Sequence, residues 1–274
     1  MKRNIITVPI QKVDRGAMTP AQDLLAVEEP LEIRLGDRNV AITMRTPGND
    51  EELAAGFLFT EGILRDRTDI ADISLGDRNR VSVTLKDESG VDFERLERNF
   101  YVSSSCGVCG KASIQAVEAI GCPVLMRNAP RISEELIHTL PEKLRSSQMV
   151  FDRTGGLHAA GLFDASGRFI NAREDVGRHN AVDKLIGAAF LTGIVPLNEH
   201  VLMVSGRASF ELVQKALMAG IAAMAAVGAP SSLAVELALR YGMTLIGFVR
   251  DRRFNVYSGA SRFGPQINAA AQER

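Results

Sequence analysis

Apolar and polar positions alternate in the first third of the chain. Leu31-Glu32-Ile33-Arg34-Leu35 and Val40-Ala41-Ile42-Thr43-Met44 each have the period of two that a half-buried strand needs, and Gly36-Asp37-Arg38-Asn39 between them reads as a hairpin turn. Val81-Ser82-Val83-Thr84-Leu85 is a further alternating run. Thr46-Pro47-Gly48 breaks the pattern. Asn49 or Asp50 then caps a helix whose apolar face is Leu53, Phe57 and Leu64. A small α+β unit over 1–102 is expected.

The middle is organised differently. Phe100-Tyr101-Val102 ends a strand, and Ser103-Ser104-Ser105-Cys106-Gly107-Val108-Cys109-Gly110 is a loop of small residues before a helix with Ile114, Val117 and Ile120 on one side. Ser133 caps another helix with Glu134 and Glu135 in its first turn. Pro141 is expected to interrupt or restart it. From Phe151 the chain alternates strand and helix. His158–Phe163 and Phe169–Ala172 are strands around the turn at Asp164-Ala165-Ser166-Gly167, and a helix runs from about Asn180 to Leu191. Val201-Leu202-Met203-Val204 is a strand buried on both faces, followed by a helix from about Ser209. Ile221–Val227 fits either a strand or the end of that helix. Ser231 or Ser232 caps a helix that stops at Gly242, and Thr244–Val249 is the last buried strand. The fold class is α/β, a three-layer sandwich with a mostly parallel sheet over 103–274, which also holds the cysteine loop and its helices. The tail after Gly264 reads as frayed.

Composition narrows the function. The chain has 274 residues, 46% hydrophobic and 24% charged, with a net charge of −1. No global basic field invites nucleic acid, so an anionic ligand must meet a local cluster. No run approaches the roughly 20 apolar residues of a membrane span. Three cysteines make no disulfide framework, which points to a cytoplasmic protein with reduced thiols.

Cys106-Gly107-Val108-Cys109 is the sharpest chemical feature. Its glycine and serine neighbours leave the sulfurs uncovered, and the helix that follows favours thiolate over thiol. A thiolate can attack a persulfide and hold its outer sulfur. The pair also fits half of a zinc site, but the other cysteine, Cys122, and the four histidines are scattered. Thioredoxin-type redox chemistry is a third reading, against which the glycine and serine loop weighs. Cys122 itself reads as a packed residue. His158, beside Thr154-Gly155-Gly156, is either an ordinary strand residue or a proton carrier.

Four turns follow strands, where α/β sheets bind ligands. The first, from Arg173 to Lys184, includes Arg178 and His179. Ser205-Gly206-Arg207 follows the next strand and Gly228-Ala229-Pro230-Ser231-Ser232 the one after. Phe248-Val249-Arg250-Asp251-Arg252-Arg253 follows the last. Exposed backbone N–H groups and arginines at one edge suit a polyanion such as a dinucleotide pyrophosphate.

These stretches carry a family resemblance. Ser104-Ser105-Cys106-Gly107-Val108-Cys109-Gly110-Lys111, Thr154-Gly155-Gly156-Leu157-His158-Ala159-Ala160, Arg173 through Lys184, Ser205-Gly206-Arg207-Ala208-Ser209 and Ala229-Pro230-Ser231-Ser232-Leu233-Ala234 resemble, in order, the formate dehydrogenase accessory sulfurtransferase family (the FdhD family). The resemblance implies a sulfurtransferase that takes persulfide sulfur from a cysteine desulfurase. It passes that sulfur to molybdenum bis(molybdopterin guanine dinucleotide), bound as substrate, for the formate dehydrogenase catalytic subunit. No permanently bound metal is implied. It also implies a cytidine-deaminase-like fold in the larger domain and a homodimer. Cys106 is then the persulfide carrier, Cys109 assists or relays, and the cofactor-binding stretch falls on Phe248 to Arg253. Two other function classes compete. A zinc deaminase needs His-x-Glu ahead of Pro-Cys-x-x-Cys, and here His158-Ala159-Ala160 lacks the glutamate and follows the cysteines. A binding-only chaperone would tolerate loss of the cysteines.

Overall fold

The computed structural model describes residues 3–76, 79–87, 121–127 and 129–263. The cysteine loop, the helix expected after it, the strand end at Phe100–Val102, the boundary at 102/103 and the tail after Gly264 lie outside the described residues.

A ribbon opens the chain: β1 (Ile5–Asp14) pairs antiparallel with β2 (Ala17–Ala26). A four-stranded sheet follows, built from β3 (Glu29–Leu35), β4 (Arg38–Arg45), β5 (Ile70–Gly76) and β6 (Arg80–Leu85) in the order β4-β3-β6-β5. The alternating residues Leu31, Ile33, Leu35, Val81 and Val83 all turn to one buried side. There they meet Leu53 and Leu58 of α1 (Asp50–Thr60). Leu64 is equally buried but lies beyond the end of that helix, where the backbone N–H groups of Ile63 and Leu64 both return to the Leu58 carbonyl.

The second half forms a six-stranded sheet. Its strands are β7 (His158–Asp164), β8 (Phe169–Asp175), β9 (His200–Val204), β10 (Ala223–Ala226), β11 (Thr244–Arg250) and β12 (Arg253–Ser258), in the order β12-β11-β10-β9-β7-β8. The β9–β10 and β10–β11 pairings are parallel and the other three are antiparallel. The sheet is therefore mixed rather than mostly parallel. An apolar run buried on both faces does not encode direction. The connections do, and the short turns inside β7–β8 and β11–β12 permit only antiparallel pairing. Alternate residues feed two cores. Leu202, Val204, Met224 and Leu245 face one with helices α4 (Arg178–Leu191), α5 (Phe210–Met218) and α6 (Ser232–Tyr241). Val201, Met203, Ala225 and Ile246 face the other, which α2 (Glu134–Ser146) covers with Leu136, Ile137, Leu140 and Leu144.

Ser133 and Ser231 cap α2 and α6 as expected, accepting from the N–H groups of Leu136 and Ala234. Pro141 does not interrupt α2. A proline inside a helix costs about 3 kcal/mol or more. The four buried leucine and isoleucine residues on either side of it offset that cost at about 1.5–3 kcal/mol each. The chain after α5 is settled as a strand, β10, because Gly220 turns left-handed and ends the helical path.

The two sheets are joined helix to helix. A Cβ at Gly56 of α1 would lie 1.9 Å from the Asp183 carbonyl oxygen, and one at Gly187 of α4 would lie 1.8 Å from that of Glu52. The backbones of α1 and α4 therefore touch at paired glycines, and one apolar core runs from Leu31 through Val182 to Leu202.

Candidate functional site

The ends of β9, β10 and β11 and the start of β7 share one edge of the large sheet. Backbone bonds stitch their turns together. Gly228 N–H donates to the Gly206 carbonyl at 3.0 Å, and Phe248 N–H donates to the Gly228 carbonyl at 3.2 Å. Ser205 is fixed in both directions: its N–H donates to the Ala159 carbonyl at 3.0 Å, and its hydroxyl accepts from the Ala159 N–H at 2.9 Å. The turns expected to converge do meet here, although the sheet is mixed, because the three strands that carry the last three turns are parallel to one another.

Arginines project from this edge. Arg207, Arg250, Arg252 and Arg253 are exposed. Arg207 and Arg252 make no ion pair among the described residues, and Arg253 has only Asp251 at 3.8 Å. Arg250 lies over the Phe248 ring, 5.9 Å from its centroid. Phe248, Asp251 and Arg252 have φ of 56°, 52° and 55°, a conformation side chains rarely adopt. The left-handed pair at 251 and 252 makes the tight turn from β11 into β12. Val249 points the other way, into the α2 core, with 1% of its surface exposed.

The segment from Arg173 to Lys184 divides sharply. Arg178 and His179, the first residues of α4, stand at the edge. The Arg178 Nε is buried with no hydrogen-bond partner among the described residues. His179 Nε2 lies 3.2 Å from the Ser209 hydroxyl and 2.9 Å from Glu211. The rest of the segment turns inward to the first half of the chain. Arg173 binds Glu52 with two nitrogens at 2.5 and 2.7 Å. Glu174 accepts the N–H groups of Val150 and Phe151 at the start of α3 (Met149–Thr154). Asp175 is fully buried, 2.7 Å from Lys184 Nζ, which also donates to the Thr46 carbonyl at 2.8 Å. Asn180 donates to the Met44 carbonyl, and Asp183 pairs with Lys215 at 2.9 Å and accepts from Thr60 at 2.8 Å. Most of this polar segment thus joins the two sheets. Its partners Thr46, Glu52 and Thr60 lie more than a hundred residues upstream, and no local pattern marks them.

Beside the arginine edge, on the α2 face, is a cavity of about 650 Å³ with Leu144, Phe151, Gly156, His158, Ser205 and Val227 among its walls. Burial lowers the pKa of His158, the Arg178 guanidinium and the neighbouring His179 lower it further, and Asp175 opposes them. Its imidazole is therefore neutral at pH 7. Cys122 is buried and its thiol is pushed up to about 12 by that burial, which leaves it an inert packed residue. Cys106 and Cys109 lie outside the described residues. No helix among the described residues is long and apolar enough to cross a membrane.

The same architecture occurs in a solved structure. A crystal structure of a candidate formate dehydrogenase accessory protein from Desulfotalea psychrophila superposes with a TM-score of 0.77 over 96% of this chain and all of that one, at 27% identity. Curated relatives are closer in sequence. The sulfur carrier protein FdhD of Streptomyces coelicolor is 52% identical over 261 residues, 92% of this chain and 93% of its own length. That of Sulfolobus acidocaldarius is 46% identical over 255 residues, 93% of this chain and 97% of its own. The model of the FdhD/NarQ family matches residues 26–264, a span that runs from β3 through the cysteine pair to the arginine turn after β11. Sequence, fold and edge all lead to one assignment: the chain belongs to the FdhD/NarQ family.

Proposed function

We propose that this chain carries sulfur as a persulfide on Cys106, with Cys109 assisting or relaying, and moves it from a cysteine desulfurase to molybdenum bis(molybdopterin guanine dinucleotide) for a formate dehydrogenase catalytic subunit. The observation that carries this reading is the arginine edge. Arg207, Arg250 and Arg252 stand on turns stitched together by backbone bonds, with Arg178 at the start of α4 on the same edge, in a chain whose net charge is only −1 and whose curated relatives are named sulfur carriers. Such a cluster suits a ligand rich in phosphate, since each charge-assisted hydrogen bond contributes roughly 1.5–3 kcal/mol. The small residues around Cys106 suit sulfur exchange, which needs an unhindered thiolate. A hairpin and three parallel strands between helical layers support the cytidine-deaminase-like reading of the larger domain. A homodimer and a cytoplasmic setting belong to the same proposal.

Loading with a cysteine desulfurase and L-cysteine tests the sulfur chemistry. Intact mass spectrometry should show the wild-type chain gaining the mass of one sulfur, and Cys106→Ala should gain none. If Cys106→Ala loads normally and Cys109→Ala does not, the two roles are reversed.

The cofactor end has its own test. A guanosine diphosphate titration should saturate, and Arg250→Ala should weaken it about tenfold, the loss of one charge-assisted contact. The melting temperature should stay within about 2 °C, because Arg250 is exposed. Unchanged affinity with a large drop in melting temperature would make Arg250 a purely structural residue.

A further inference from the structure

Helices α4 and α5 both begin at the arginine edge, and neither start has a side-chain cap. At α4 the reason is composition: the N-cap is Gly177, which has no side chain. At α5 the N-cap is Ser209, a residue type well suited to capping, yet its hydroxyl makes no bond to its own helix. It meets the start of α4 instead, 3.2 Å from His179 Nε2. The same nitrogen lies 2.9 Å from a Glu211 carboxylate oxygen. A carboxylate only accepts, so Nε2 carries a hydrogen and donates it, and the Ser209 hydroxyl shares that hydrogen as a second acceptor. The tip of the ring is therefore committed to α5 rather than open to a ligand.

This clamp falls between two of the arginines. Arg178 is the residue before His179, and Arg207 stands two residues before Ser209. The Arg207–Ser209 turn is also bonded to the turn after β10. The Ala208 N–H donates to the Ala229 carbonyl at 3.2 Å, and the Ser231 N–H donates to the Ala208 carbonyl at 3.0 Å. His179 ties the same turn to α4. Its second partner is an acid on an edge that gathers arginines. Lys215, one turn further along α5, feels the Glu211 carboxylate but is itself held by Asp183 at 2.9 Å.

We infer that His179 is a positioning residue for the polyanion: it fixes the start of α5, and with it Arg207, against Arg178, and it holds the Glu211 carboxylate away from the phosphates. The inference rests on the polyanion reading of this edge proposed above. Released from the imidazole, a carboxylate two residues into α5 competes with phosphate for the arginines and repels it. A direct ligand contact through His179 would show no such dependence on Glu211, and neither would a purely packing role.

Guanosine diphosphate titrations of the full chain, at one fixed ionic strength, test this on four proteins: wild type, His179→Ala, Glu211→Gln and the two substitutions together. His179→Ala should bind about tenfold more weakly than wild type. In the Glu211→Gln background the same substitution should cost less than about threefold, because the competing charge has gone. Glu211→Gln alone should bind at least as tightly as wild type. The melting temperature of His179→Ala should stay within about 2 °C of wild type, since the pair is partly exposed and the freed Ser209 hydroxyl can cap α5. An equal loss of affinity in both backgrounds overturns the inference, and so does a His179→Ala chain that binds as wild type does. A wild-type chain that binds no guanosine diphosphate removes the polyanion reading and this inference with it.

Discussion

Gly187→Ala should destabilise the protein by about 3 kcal/mol or more, at the upper end of what overpacking costs. The substitution places a methyl group 1.8 Å from the Glu52 carbonyl oxygen and 2.8 Å from the Gly56 nitrogen, both of them backbone atoms that no rotamer change can move aside. To admit it, α1 and α4 must separate. That strains the two Arg173–Glu52 bonds and the Thr60–Asp183 bond, which cross the same contact. The sign makes the prediction sharp. In a helix with open surroundings glycine is about 1 kcal/mol worse than alanine, so helix propensity alone says that Gly187→Ala stabilises. For a chain of this size, 3 kcal/mol lowers the melting temperature by roughly 6–12 °C. Calorimetry of the purified variant decides it, and a melting temperature equal to or above wild type would mean that the helices are not in backbone contact. Gly56→Ala should behave in the same way, since its Cβ would lie 1.9 Å from the Asp183 carbonyl oxygen.

The consequence reaches the edge. Helix α4 begins with Arg178 and His179, so whatever fixes α4 against α1 also fixes those two side chains at the mouth of the sheet. Arg178 sits one residue after Gly177, whose N–H is held by Asp175, which is in turn held by Lys184 and Thr46. The first half of the chain therefore sets the position of one of the edge's four turns. This is the rigid support that a binding constellation needs.

The local elements were legible in the sequence because each rests on local physics. The hairpin at Gly36–Asn39, the caps at Ser133 and Ser231 and the stop at Gly242 are all decided within a few residues. Their alternation, capping oxygens and left-handed glycine are visible in the string. The ribbon β1–β2 was not legible. Its strands are nearly all exposed and carry Pro9, Pro20, Gln11 and Lys12, so no apolar alternation marks them. β12 was hidden for a related reason, since it begins on the last of three arginines, after a reversal that depends on the left-handed conformation of Asp251 and Arg252. The polar density between Arg173 and Lys184 was visible, but its division was not. Whether Asp175 faces solvent or Lys184 depends on a helix that packs from more than a hundred residues away.

Lys215→Met provides the second test of that division, with an expected loss of about 3–5 kcal/mol at neutral pH. Lys215 Nζ lies 2.9 Å from Asp183 and 3.0 Å from the Thr60 hydroxyl, and both charged side chains are almost wholly buried. Burial alone would push the ammonium towards its neutral form. The carboxylates of Asp183 and Glu61 overcome that and hold Lys215 above the usual lysine range. Methionine keeps the volume and removes the charge, leaving Asp183 as a buried carboxylate that still accepts from the Thr60 hydroxyl. Burial already pushes the Asp183 carboxyl upward, and without Lys215 nothing of opposite charge pulls it back. The sign of the pH dependence follows. A carboxyl whose folded-state pKa is raised adds no cost below its unfolded value, near 3.9, because it is protonated in both states. The cost then grows with pH until the folded-state group has ionised. The variant should therefore fall further behind wild type at pH 8 than at pH 5, in denaturant melts run at both values. Replacing both members, with Asp183→Leu added to Lys215→Met, should recover part of the loss, because no uncompensated charge remains. An equal deficit at pH 5 and pH 8 would show that Lys215 contributes by packing alone, and a deficit below about 1 kcal/mol would place the pair in contact with water.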